Sequence, residues 1–224
     1  GYGAPHKQGT FEAHGSPLGP AEVQAAKENL GWPIDPPFYL PGEALEHFRG
    51  AIDRGKTDQA AWQKKFDAYQ KEFPELAQEF SQATNSELPN GWTADLPVFP
   101  ADKPLATRAS AGQVLNAIAK KIPTLIGGSA DLNPSTDTAL KGFGDFQSPN
   151  FKSEGAQGLV GGGTSYAGRN IAFGVREHAM GAIASGMALH GGVIPFTATF
   201  MQFSDYMRPA MRLAARTTST SRAN

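Results

Sequence analysis

Between residues 42 and 85 the apolar side chains recur every three or four positions, with Trp62, Phe66, Tyr69 and Phe73 in one row. That period predicts helix, and the aromatic row is a face to set against a neighbouring domain. A shorter helix is expected over 21–30, with Pro20 in its first turn and Gly31 and Pro33 as its stop. Beyond residue 104 the pattern changes. Val114, Leu115, Ile118 and Ile122 share a helical face, and Ser110 with Gln113 has the spacing of a capping box. Three apolar runs, 124–127, 171–175 and 193–200, read as short buried strands. Helices are expected to follow the last two, over 178–190 up to the Gly191-Gly192 stop and over 201–215. Helix and strand in alternation imply a parallel α/β sheet with flanking helices. Three strands leave that sheet incomplete.

Polar and glycine-rich stretches divide these elements. Residues 1–19 read as a loop whose backbone can approach a ligand closely. Prolines at 89, 97, 100 and 104, with Gly91, give 87–104 the character of an extended linker. The expected organisation is therefore 1–86 as the helical and loop end of one α/β domain, 87–104 as linker, and 105–215 as the beginning of a second domain. Gly, Ser, Asn and Pro dominate 133–169, which predicts a long loop of the kind that serves function. Residues 216–224 carry no apolar side chain except alanine and are expected to be disordered.

Composition narrows the chemistry. Of 224 residues, 40% are hydrophobic, enough for a packed core. Lys plus Arg number 20 and Asp plus Glu 21, so no strong field invites nucleic acid or an anionic membrane. No apolar stretch is long enough to span a bilayer. With no cysteine, disulfides and thiolate chemistry are excluded, and a cytoplasmic setting is expected. The five histidines show no zinc-binding spacing, so no metal site built by this chain is expected. Small-molecule chemistry is the remaining class.

One carboxylate stands out. Glu177 falls where the strand predicted over 171–175 gives way to a helix, and ligands of open α/β sheets bind at the carboxyl ends of strands. A glutamate there is also a common helix-start residue that favours the dipole. Phe200, Phe203 and Tyr206 follow the third strand three residues apart, which suits a ring-stacking pocket or an ordinary core stripe. His14 lies in the first loop. Asp131 follows the first strand, where an Asx turn is the plainer role.

Four motifs carry a family resemblance: AHGSPLG at 13–19, IGGSADL at 126–132, FGVREHAMGAI at 173–183 and TFMQFSDY at 199–206. In this order they resemble the transketolases, enzymes that use thiamine diphosphate, and the likeness covers about residues 1–215. It implies the thiamine diphosphate-binding α/β fold and reversible transfer of a two-carbon ketol unit. Donors would be ketose phosphates such as xylulose 5-phosphate, and acceptors aldose phosphates such as ribose 5-phosphate or erythrose 4-phosphate. By the same resemblance Glu177 bonds the aminopyrimidine ring, with Phe200, Phe203 and Tyr206 around it and Asp131 toward the thiazolium. His14 is a catalytic residue beside the diphosphate and the donor sugar, donating to a phosphate oxygen or relaying a proton, and Arg108 and Ser135 hold the sugar phosphate. The resemblance further implies a homodimer with its site at the subunit interface, and Mg2+ whose ligands lie outside this chain, since the family's Gly-Asp-Gly motif is not present. An internal fragment of such an enzyme is the expected status. A dihydroxyacetone synthase-like enzyme and a short noncatalytic partner of transketolase are the alternatives.

Overall fold

The computed structural model describes residues 1–130, 133–152 and 154–221, the last four of these by backbone alone. Two compact units divide at Ala68 and Tyr69. In the first, α1 (Glu12–Gly15) is a single turn inside the predicted loop, α2 spans Pro20–Asn29, and α3 (Gly42–Glu72) crosses the division. Pro20 opens α2 where its missing N–H costs no helical bond. α3 has no buried residue. Its aromatic row stays half exposed and pairs along the helix, Trp62 stacking on Phe66 with centroids 5.1 Å apart. The single helical stretch expected over 42–85 is two helices, because Pro74 cannot donate to the turn before it, and α4 (Pro74–Thr84) starts there.

The second unit holds the sheet. α5 (Thr107–Ala119) leads into β1 (Leu125–Ser129), and after α6 (Asn133–Thr136) come β2 (Asp145–Phe146) and β3 (Thr164–Ser165). Then follow α7 (Glu177–His190), β4 (Ile194–Ala198), a 3-10 turn (Met201–Phe203) and α8 (Ser204–Ser221). β1 pairs in parallel with β4, Gly127 opposite Phe196, and β2 pairs in parallel with β3. Asn170 bridges both β1 at Gly127 and β2 at Asp145, which joins the two ladders. Close approach from both sides explains the paired glycines of β1. A Cβ on Gly127 would run into the Phe196 carbonyl, and one on Gly128 into the Ile171 carbonyl.

Apolar packing forms two clusters in this unit. Ala119, Ile122, Leu125 and Leu140 make one, flanked by Trp92, Leu115, Ile118, Phe143 and Phe196. Ala130, Phe173 and Met180 make the other, with Ile171 and Met207 against them. Polar side chains brace the first. Arg169 donates from Nε to Leu125 O (2.8 Å), and from its two terminal nitrogens to Ala119 O (3.0 Å) and Ile122 O (2.8 Å), while its guanidinium lies 4.3 Å from the Phe143 ring centre. Burial holds that guanidinium below its usual basicity, an effect opposed by Glu79.

Three further expectations change. The 171–175 segment is not a strand. Its ladder contact falls at Asn170, with Gly127 N donating to Arg169 O and Ile171 N to Gly127 O, and the chain then turns away through Gly174 at φ 66°. The capping box does not form, because Ser110 already lies inside α5 and donates to Thr107 O (2.9 Å). The long loop over 133–169 contains α6 and the β2–β3 pair. α8 reaches into the segment 216–224, as far as Ser221. α8 continues, since extending an existing helix costs little and Thr217 Oγ1 bonds the Leu213 and Ala214 carbonyls; residues 222–224 lie outside those described.

Candidate functional site

Glu177 is the first residue of α7 and is 6% exposed. Its burial follows from spacing: Glu177, Met180 and Gly181 are the buried residues of α7, three and four positions apart, on the stripe that faces the core. Gly181 lets α8 approach, for a Cβ there would crowd Met207 and Ala210. Arg176, just before the helix, donates to Phe173 O (2.7 Å) rather than to Glu177. Among the described residues no group bonds the Glu177 carboxyl. A carboxyl without a protein partner, at the start of a helix and at the carboxyl end of a parallel sheet, is placed to bond a ligand.

β4 delivers the aromatic residues to the same edge. It runs parallel to β1 and to the bridge at Asn170, so the segments after β4 and before α7 leave the sheet in one direction. Phe200 lies two residues past β4, and its carbonyl accepts from Phe203 N (2.9 Å). Phe203 and Tyr206 stack with centroids 6.4 Å apart and planes 21° apart, and Tyr206 is 67% exposed. None of these three aromatic residues is fully buried. Next to Phe200 in the chain is a hydroxyl that sequence reasoning passed over: Thr199 Oγ1 is buried and makes no hydrogen bond among the described residues. Nothing in the sequence distinguishes it from the other threonines near β4.

The remaining candidates are spread more widely. Arg108 is exposed in the first turn of α5, and Ser135 is exposed in α6. Their neighbours Ala109 and Pro134 line a cavity of about 560 Å³, with Gln113, Asn116, Lys120 and Asp137. Neither Arg108 nor Ser135 lines it. A second cavity, of about 530 Å³, is apolar and includes Phe173, Met180 and Ile183, but not Glu177. Asp131 lies outside the described residues.

His14 belongs to the first unit, exposed in α1, with its backbone N–H on Phe11 O (3.0 Å). The loop around it is tied to α2 by Glu22, which is 7% exposed. Glu22 Oε1 accepts from His6 N (2.8 Å) and Lys7 N (3.1 Å), and Oε2 contacts His6 Nδ1 at 2.8 Å. Burial alone pushes the Glu22 carboxyl up, but the bonds from His6 and Lys7 hold it below the ordinary glutamate range. No group of three or more His, Asp or Glu among the described residues is arranged to hold a metal ion. No described helix is long and apolar enough to cross a membrane.

The comparisons agree with this architecture. Residues 103–222 match the family described as the transketolase pyrimidine binding domain, and residues 1–89 match the transketolase thiamine diphosphate binding domain. A transketolase of Geobacillus stearothermophilus is 49% identical over 216 residues, covering 96% of this chain and 30% of that protein. The chloroplastic transketolase-1 of Arabidopsis thaliana is 45% identical over 217 residues, with 96% and 27% covered. A crystal structure of a transketolase mutant from Pichia stipitis in complex with fructose 6-phosphate superposes with a TM-score of 0.78 at 36% identity, over 95% of this chain and 30% of that one. The chain thus spans under a third of the length of these relatives.

Proposed function

Because the chain belongs to the transketolase family, we propose that it is a segment of an enzyme that reversibly moves a two-carbon ketol unit from a ketose phosphate to an aldose phosphate with thiamine diphosphate. The observation that carries this reading is Glu177, a residue 6% exposed whose carboxyl has no partner among the described residues, at a sheet edge that also presents partly or fully exposed aromatic rings. Those residues suit the ring end of the cofactor: the carboxyl can share a proton with a ring nitrogen, and the rings of Phe200, Phe203 and Tyr206 can cover a flat heterocycle. When bound, thiamine diphosphate supplies an electron sink for carbon–carbon bond cleavage. Glu177 holds a proton at the ring nitrogen, and the aromatic side chains orient the ring and keep water from it.

The other roles follow the family pattern. His14 donates to a diphosphate oxygen or relays a proton at the donor sugar, Arg108 and Ser135 bond the sugar phosphate, and Asp131 takes the family's acidic role on the cofactor side. Magnesium would be held by ligands outside this chain. We place the boundary between the two family domains in 87–104, the catalytic form as a homodimer with the site at its interface, and the enzyme in the cytoplasm.

The test is Glu177→Gln in the full-length enzyme that carries this chain. The amide fills the same volume but cannot give up a proton, so turnover should fall by roughly 10²- to 10⁴-fold with an unchanged circular dichroism spectrum. Turnover equal to wild type would refute the assignment.

A further inference from the structure

Glu22 is a nearly buried carboxylate that the proposed chemistry does not use, and its three donors all come from the loop that leads to His14. The bonds continue from there. Lys7, held by Glu22 at its backbone N–H, accepts at its carbonyl from Thr10 N (3.2 Å) and Thr10 Oγ1 (2.8 Å). Its ammonium donates to Leu18 O (3.1 Å). Thr10 and Leu18 stand four residues on either side of His14, so Lys7 spans the base of the turn that carries it. Gln8 Oε1 on Gly3 N (2.8 Å) and Asn29 Nδ2 on Gly3 O (3.0 Å) close the rest of the loop onto itself and onto α2.

We infer that Glu22 is a positioning residue that acts through Lys7 to hold His14 in its working place, an inference that rests on the diphosphate role proposed for His14. The loop's apolar contacts are few, Ala4 at 1% exposed and the Leu30 side chain against Gly3, so the polar bonds to one carboxylate do much to set its shape. A carboxylate that accepts three bonds from charged or backbone donors is far stiffer than the exposed side chains around it. Its loss frees the segment without removing any group that would touch a ligand.

The experiment is a double-mutant cycle in the full-length enzyme, with the dissociation constant of thiamine diphosphate and kcat at saturating cofactor as readouts. Glu22→Gln should weaken thiamine diphosphate about tenfold, the scale of one lost charge-assisted bond, and lower kcat at saturating cofactor by no more than His14→Ala does. Lys7→Met, which spares the buried carboxylate, should do the same more weakly. In a His14→Ala background neither change should weaken binding further. Additive losses, or a Glu22→Gln enzyme that binds as tightly as wild type while His14→Ala binds weakly, would overturn the positioning role and leave the reading of His14 intact. A His14→Ala enzyme that binds thiamine diphosphate as wild type does would refute that reading and the positioning role with it. Amide exchange at His6 and Lys7 separates loosening of the loop from global unfolding: rapid exchange at these two amides alone is expected, and unchanged protection in Glu22→Gln would also overturn the inference.

Discussion

The loop that carries His14 and the junction that carries Glu177 are held by opposite means. Around His14 the only strongly buried side chains are Ala4 and Glu22, and the backbone is tied down by side-chain oxygens and one ammonium. Around Glu177 the backbone is fixed by a parallel ladder and by the packing of Ala130, Phe173 and Met180, and the carboxyl itself is left with no bond among the described residues. In one region a carboxylate is consumed in building structure; in the other, structure is built so that a carboxylate stays free. The difference teaches which acids to suspect of chemistry. Burial alone does not distinguish Glu22 from Glu177, since they are 7% and 6% exposed, but the account of donors does.

The largest effect that separates the regions should come from Asn170. Its side chain is 1% exposed, accepts from Leu140 N (2.7 Å), and donates to Leu140 O (3.0 Å) and Gly144 O (2.8 Å), just where the two strand pairs meet. Asn170→Ala leaves the buried Leu140 N–H unpaired and takes one donor each from Leu140 O and Gly144 O, which keep Phe143 N and the Arg169 and Asn170 N–H groups, and should destabilise the second unit by about 3 kcal/mol. In urea the unfolding midpoint followed at β1 and α7 should drop, whereas amide protection at His6 and Lys7 should be unchanged at low urea. Equal loss in both regions would mean that the two kinds of support are not independent.

Acid should act in the other direction. The Glu22 carboxyl lies below its ordinary range in the folded chain, so its contribution is fully present above the unfolded-state pKa and is lost as pH falls through the lower folded-state value. The window is therefore below about pH 4. Protection at His6 and Lys7 should fade there before that of the β1–β4 ladder, whose bonds are between backbone groups. Glu22→Gln should remove the pH dependence. If the ladder opens first, the polar lock is the firmer of the two supports.

How much of this was legible in the sequence depends on which force set each feature. Helices with a single apolar face, such as α5, and helices with glycine or proline stops, such as α2 and α7, were readable because period and punctuation are local. β1 and β4 were readable as apolar runs. The segment after Asn170 misled because Ile171 and Phe173 are apolar for packing, not for pairing, and the pairing residue is polar. Glu177 was found from its place after an apolar run, whereas the close approach of α8 to α7 at Gly181 is encoded by no local pattern. Glu22 was missed for the same reason: its donors are 15 and 16 residues away, and a glutamate in the first turn of a helix ordinarily signals only the dipole.

The smallest effect asks whether the comparison extends to a group that the fold leaves exposed. Arg108 has neither a buried lock nor an apolar frame around it; it stands in the first turn of α5, near the residues that line the polar cavity. A guanidinium in solvent contributes little to stability, so Arg108→Ala should leave the unfolding midpoint unchanged. If it bonds the sugar phosphate, its loss removes about 2 kcal/mol of charge-assisted bonding, roughly a thirtyfold rise in KM for phosphorylated sugars. The KM for an unphosphorylated acceptor should not move, and kcat should change little for either. Equal rises for both classes of acceptor would show that Arg108 shapes the site and does not read the phosphate. A stability loss without a change in KM would return it to the structural role that Arg169, with its three carbonyl partners, already illustrates.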